Sequence, residues 1–463
     1  MAQATASNRE LDLEHVWHHN VQHRDLASRP PLEVVRGEGC CLYDAEGRHY
    51  LDAMAGLFCV AVGYGRREIV EAAARQMALL SYYPQVQSHG PGAQLAARLA
   101  SLLPKGLGRV FFVNSGSEAV ETALKMARQY GRQAHPGQNR YKIIARHRGY
   151  HGWTMGAVSA TGQTLRKQAF EPLVPGFFHV PPPDHYRCGW CSNQPACTLA
   201  CADEIERLIR MEGPETVAAV IAEPVIGGGG IFPAPDGYLE RLREICDRYG
   251  ALLILDEVIT AFGRTGTMWG FEHAGVRPDI ITVAKAITSA YLPLAAAIAT
   301  DEVFDCFRRD TQPDPKFTQL STFGGHPVSC AAALANLDIL VGERLWENSA
   351  RVGAYLLERL RAIDSPMVGE VRGRGLLIGL EMVSDRATRA PMPEAQVAAL
   401  QKAIRERGVI VGRNNDTVPG HGNVLILSPP LILTESQADT IVEAVTQAFL
   451  PVTGAQTSAP ASS

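Results

Sequence analysis

The chain of 463 residues lacks several features that would narrow its class at once. No run of about 18 apolar residues occurs, so no membrane-spanning helix is expected. Neither sign of charge dominates. Lys and Arg number 44 against 48 Asp and Glu, a net charge of −4. That balance gives no electrostatic reason to expect nucleic acid or an acidic membrane as partner. There is no internal repeat. The opening residues, MAQATASNRE, lack the apolar centre of a signal peptide. A cytoplasmic protein is the expectation, with its ten cysteines mostly reduced.

What is present is ordinary in bulk. Apolar residues make up 46% and charged residues 20%, as in a soluble globular protein with a large core. The length predicts roughly two to three domains. One local feature stands out: Cys188-x2-Cys191-x5-Cys197-x3-Cys201, in a Pro-rich stretch. Four close thiols could hold zinc, and a zinc-binding module is the rival reading from another protein class. Only the first pair has zinc-ribbon spacing. A loop of free thiols is therefore the expectation, with no metal at a catalytic site. Cys40, Cys41 and Cys59 lie in apolar surroundings and read as packing residues.

From about residue 56 to 309, strand-like runs alternate with helix-like ones. The strands are expected at 110–113, 142–146, 217–222, 251–255 and 280–284. Helices are expected at 118–130 and 238–249. Such βα alternation implies a mostly parallel sheet with helices on both faces. Beyond about residue 316, long helices (327–340, 345–363) precede strand-like runs at 376–382 and 424–427. The expected division is an N-terminal arm and hairpin at 1–55, belonging to a small α+β domain, and a large domain at 56–315. The C-terminal part of the small domain follows at 316–452, and a disordered tail at 453–463.

In parallel α/β sheets, ligands gather beyond the carboxyl ends of the strands. The chemically useful residues here fall at those ends. Asn114-Ser-Gly-Ser-Glu118 follows the first strand. Ser115 and Glu118 have capping-box spacing. Gly116 lets the backbone approach an anion, and Ser117 adds a hydroxyl at a helix N-terminus suited to phosphate. A plain helix cap is the simpler alternative for this segment alone. Tyr150, in RGYHG after the second strand, could stack on a flat heterocycle. Glu223 and four glycines follow the third strand and read as a flexible exit. Asp256 and Lys285 follow the fourth and fifth strands, twenty-nine residues apart. A lone lysine after a strand is more often a solvated strand end. Together, however, a phosphate cradle, a stacking ring, a carboxylate and a lysine form the protein side of one cofactor, pyridoxal 5′-phosphate. The lysine would form a Schiff base with its aldehyde, and the carboxylate would keep the pyridine nitrogen protonated.

The stretches NSGSEAVETALKMAR, RGYHG, AEPVIGGGG, LILDEVITAFGRTG, RPDIITVAK, STFGGHP and VRGRGLLIGLEMV resemble the class III, or ω-amino-acid, aminotransferases of pyridoxal-phosphate fold type I. The resemblance covers nearly the whole chain. It implies Lys285 as Schiff-base lysine, Asp256 on the pyridine nitrogen, Tyr150 and Val258 against the two ring faces, and Gly116 and Ser117 on the phosphate. It also implies that Thr322 completes the phosphate site of a neighbouring subunit, hence a homodimer with active sites at the interface. Ala286 and Ala290 stand where the family usually has glycine.

Relatives that use 2-oxoglutarate carry a second glutamate five residues after the glutamate of the Glu-Pro pair. Here that position is Gly228, and Ile259 replaces their Gln. The resemblance therefore points to pyruvate as acceptor. Arg413 is the implied carboxylate- or sulfonate-binding arginine. Leu57, Phe58, Tyr83 and Tyr150 are the implied substrate pocket. The N-terminal LEHVWHHNVQHR and the segment GVIVGRNNDTVPG look most like taurine–pyruvate aminotransferases. The expected reaction moves an amine from a taurine-like or β-alanine-like donor to pyruvate. A 2-oxoglutarate-dependent enzyme and an aminomutase of the same fold stay open.

Overall fold

A computed structural model of the chain describes residues 7–194, 196–310 and 315–450. The segment 453–463, expected to be disordered, lies outside the described residues. At the centre is a seven-stranded sheet: β1 (Leu107–Val113), β2 (Lys142–Arg146), β3 (Phe177–Val180), β4 (Val217–Ala222), β5 (Leu252–Asp256), β6 (Ile280–Val283) and β7 (Ala295–Thr300). Their spatial order is β1-β7-β6-β5-β4-β2-β3. All neighbouring pairs from β6 to β3 are parallel; β7 runs antiparallel to both β6 and β1. The sheet is thus α/β and mostly parallel, with one reversed strand.

Every residue of β4, β5, β6 and β7 is buried. Helices cover both faces, so these strands are continuous apolar runs, with no hydrophobic–polar alternation. The helix Gly116–Ala134 lays Val120, Ala123, Leu124, Met126 and Ala127 against Ile143, Ile221, Ile254 and Ile280 of the sheet. Two strands were not expected from the sequence. Ala295–Thr300 reads AAAIAT, and alanine favours helix locally. Burial between β1 and β6 overrides that propensity. Phe177–Val180 is only four residues long and borders the Pro-rich loop.

The chain runs from β2 outward to β3, then returns to the other side of β2 to build β4, β5 and β6. This reversal between β2 and β4 opens a crevice at their carboxyl ends.

Two smaller sheets flank this layer. One joins the strands Val34–Glu38, Cys41–Asp44 and His49–Asp52 to Val409–Ile410, with Leu51 opposite Val409 in parallel register. Its hairpin turns on Asp44, whose carboxylate accepts the backbone N–H groups of Glu46 and Arg48. The other contains Val368–Gly373, Ile378–Asp385, Val424–Leu427 and Gly412–Arg413. The strand expected at 376–382 starts later, at Ile378. Leu376 is diverted because its N–H bonds Arg264 O and Ser349 Oγ, both at 3.1 Å, outside that sheet.

Buried charges tie the C-terminal sheet to the central one. Glu381 pairs with Arg187 at 2.6 Å and with Arg372 at 2.7 Å. Arg372 donates in turn to the carbonyls of Gly230 and Ile231. The arginines hold the Glu381 carboxyl down at about 2, despite burial, which acts the other way.

Candidate active site

Six of the residues singled out from the sequence line one cavity at the carboxyl edge of the sheet: Gly116, Ser117, Tyr150, Asp256, Val258 and Lys285. The sequence explains the local shapes. Ser115 caps the helix at Gly116, accepting Glu118 N–H at 3.2 Å. The reciprocal half of a capping box does not form. The Glu118 carboxylate takes the N–H of Asn114 at 2.7 Å instead, locking the turn one residue earlier. Ser117 Oγ accepts Trp153 N–H at 3.0 Å. Gly152 passes so close that a Cβ there would meet Ser117 Oγ at 2.5 Å, and its φ of +131° also favours glycine. Two strand exits are thereby pressed together at the helix N-terminus.

Asp256 ends β5 with three donors around it. Thr282 Oγ1 (3.0 Å) and Val258 N–H (3.1 Å) reach Oδ1, and His151 Nδ1 lies 2.8 Å from Oδ2. A carboxylate has about four lone-pair sites, so one on Oδ2 is left for a further donor. His151 was not singled out from the sequence. Its only signal is its place beside Tyr150 in RGYHG.

Lys285 is half-buried in the cavity wall, and its backbone is left-handed at φ +50°. Such a conformation in a non-glycine residue costs energy and must be held by its surroundings. The following turn does this: Asn336 Nδ2 donates to the carbonyls of Ala286 and Ile287. Burial lowers the Lys285 pKa; Cys59, Asp256 and Glu223 oppose that shift. The ammonium lies 5.7 Å from the ring centre of Phe58. Ala290 is also left-handed, at φ +63°. Alanine is therefore not equivalent to glycine at this position, although it is small.

The glycine run after β4 is not the flexible exit expected. Residues 223–227 are all buried. Glu223 accepts Tyr150 N–H at 3.1 Å and Gly227 N–H at 3.0 Å, and Arg372 grips Gly230 O at 2.7 Å. Backbone donors fix this loop across the crevice between β2 and β4.

The remaining predicted residues lie elsewhere. Leu57 is 65% exposed and Tyr83 51% exposed in the single chain. Thr322 borders a separate cavity with Asn114 and Glu118, and its carbonyl accepts the Tyr82 hydroxyl at 2.8 Å. Arg413 is paired with Glu394 at 2.7 Å. Of the four clustered cysteines, Cys191 and Cys197 approach to 3.8 Å. All ten cysteines are free, and the described residues contain no group of three or more potential metal ligands. Nor is any described helix long and apolar enough to cross a membrane.

A lysine in the cavity wall and a hydrogen-bonded carboxylate across a crevice, with a helix N-terminus beside them, define a fold type I pyridoxal-phosphate enzyme. The chain belongs to the class III aminotransferases, whose family pattern matches residues 24–449. Among relatives, an uncharacterized aminotransferase of Bacillus subtilis, YhxA, is 49% identical over 95% of this chain and 96% of its own length. A taurine–pyruvate aminotransferase of Bilophila wadsworthia is 42% identical over 96% of each chain. An amine transaminase from an uncultivated Pseudomonas species, solved in its pyridoxal-phosphate-bound form, superposes with a TM-score of 0.89. It is 40% identical, over 94% of this chain and 98% of that one. The protein is an aminotransferase that depends on pyridoxal 5′-phosphate. The donor set of the cavity fits that cofactor: N–H groups for a phosphate, a ring for stacking, one open carboxylate lone pair and an amine at the cavity wall.

Proposed function

We propose that the enzyme moves the amino group of a taurine-like or β-alanine-like ω-amino acid to pyruvate, releasing an aldehyde or oxo acid and alanine. The observation that carries the choice of acceptor is Gly228. A side chain there would meet nothing closer than Gln163 Nε2 and Tyr150 Cβ, both at 4.0 Å. Packing does not demand glycine, so the missing carboxylate gate is a chemical difference from 2-oxoglutarate users. The likeness to taurine–pyruvate aminotransferases supports the donor class.

Bound pyridoxal phosphate supplies an aldehyde that links to amines and a ring that accepts the electron pair left on carbon. Lys285 would hold that aldehyde between turnovers. Burial lowers its pKa, which favours the free amine needed as a base. With the cofactor bound, Lys285 would be the base that takes the proton from the amine-bearing carbon of the donor and the acid that gives it back. The open lone pair of Asp256 would accept the pyridine N–H. Tyr150 and Val258 would enclose the ring, while Ser117 and the helix N-terminus would take the phosphate.

In a homodimer the partner subunit's Thr322 would complete the phosphate site. The exposed apolar side chains Leu79, Val86, Leu320 and Phe323 support such an interface.

A panel of taurine, β-alanine, 4-aminobutyrate and putrescine, each with pyruvate and with 2-oxoglutarate, tests the proposal. Alanine should form from the acidic amines with pyruvate. Faster glutamate formation from 2-oxoglutarate would sink it.

A further inference from the structure

Arg166 is a cation of the site region with no anion of its own. It sits in the short turn Thr164–Lys167, beyond the strand end that carries Tyr150. Its guanidinium carbon lies 5.3 Å from the centre of the Tyr150 ring. That ring lines the cofactor cavity. The two hydrogen bonds of Arg166 go to backbone carbonyls, Asp416 O at 3.2 Å and Asn415 O at 3.3 Å. The Asp416 carboxylate is turned away, holding Asn20 Nδ2 at 3.1 Å and the amide of Asn415. Among the described residues, Arg166 forms no ion pair. Burial lowers its pKa, and Tyr150 and Asp416 act against that.

Arg413 differs on each point. Its guanidinium already holds Glu394 at 2.7 Å. To receive a substrate acid it must first release that carboxylate. Arg166 has nothing to release. Its carbonyl partners orient the planar fork without neutralising it, and a guanidinium fork suits an acid oxyanion by paired hydrogen bonds. An anion bound there would lie beside Tyr150, at the rim of the cofactor cavity.

We propose that Arg166 is the resident receptor for the distal acid group, sulfonate or carboxylate, of the amine donor. This rests on the reading of the enzyme as an ω-amino-acid aminotransferase. Arg413 would then be a second arginine, kept in reserve by Glu394.

The holoenzyme and its Arg166→Met, Arg166→Lys and Arg413→Met variants are compared with pyruvate as acceptor. The donors are taurine (sulfonate), β-alanine (carboxylate) and n-butylamine (no acid). For Arg166→Met the ratio of kcat/KM for acidic over neutral donor should fall at least tenfold, through KM. Arg166→Lys should recover part of that ratio. Ethanesulfonate and propionate, used as competitive inhibitors of n-butylamine turnover, should show the same loss. Which of the two weakens more tells sulfonate preference from carboxylate preference. An equal fall for acidic and neutral donors would assign Arg166 only to packing of the segment at 415–416, and would overturn the proposal. So would a selective loss confined to Arg413→Met. A wild-type enzyme that turns over n-butylamine but neither acid would instead overturn the donor class proposed above.

Discussion

The cofactor end and the substrate end of this site are built differently. Around Asp256, Lys285 and Tyr150, at the cofactor end, the chain closes its own geometry. Asp256 has three donors, Lys285 is held in a left-handed backbone by Asn336, and Glu223 ties Tyr150 to the glycine loop. At the substrate end, Leu57 and Tyr83 are exposed and Arg413 is paired elsewhere. A rigid constellation for one constant cofactor and an open margin for variable amines is what a family with many donors requires.

Damage at the closed end should be large and blind to the donor. Lys285→Ala should lower kcat by at least about 10²- to 10⁴-fold with every donor. It should also abolish the visible absorption of lysine-linked cofactor; an unchanged spectrum would remove Lys285 from its role.

Next in size is the frame behind the glycine loop. Glu381→Gln removes the carboxylate paired with Arg187 and one of two paired with Arg372, which keeps Glu370 at 2.6 Å, and should destabilise the fold by up to about 3–5 kcal/mol. The sign with pH follows from the depressed pKa. The stability Glu381 contributes is fully present above its unfolded value of 4.5 and is lost as pH falls toward about 2. Urea titrations from pH 6 downward should show this acid sensitivity in the wild type and a reduced one in the variant.

A smaller loss is expected from His151→Phe, which removes the partner of Asp256 Oδ2. It should weaken cofactor retention by about 1–3 kcal/mol, seen as a raised apparent Kd for pyridoxal phosphate. Equal retention in both proteins would make His151 a packing residue. The smallest effect is Ala290→Gly. Relief of the left-handed alanine should raise stability by up to about 1 kcal/mol, partly offset by the entropy of glycine, as read from the thermal midpoint.

The parts of the cofactor end that were legible in the sequence share one property. Asp256, Lys285, Tyr150 and Ser117 each follow a run of apolar residues, so strand ends and chemistry coincide along the chain. The parts that were not legible depend on contacts distant in sequence. His151 becomes significant only because β2 and β5 bring it 2.8 Å from Asp256. The glycine run looked flexible because glycine carries no pattern; its rigidity comes from Glu223 and Arg372. Ala295–Thr300 went unread as a strand because its strand character comes from its neighbours in the sheet. Arg166 gave no signal, since an arginine in a polar turn is normally solvated, and what matters about it is a carboxylate that is not there.

The parallel pairing of His49–Asp52 with Val409–Ile410 bears on how the protein is made. Leu51 faces Val409, a partner synthesised 358 residues later. At 5–20 residues per second, that strand edge waits roughly 20–70 s on the ribosome before its partner exists. During that interval it is an open edge of the kind that invites wrong pairing. The exposed Arg36 and Glu38 on the hairpin, and the exposed Glu46 and Arg48 at its turn, keep this early unit charged while it waits.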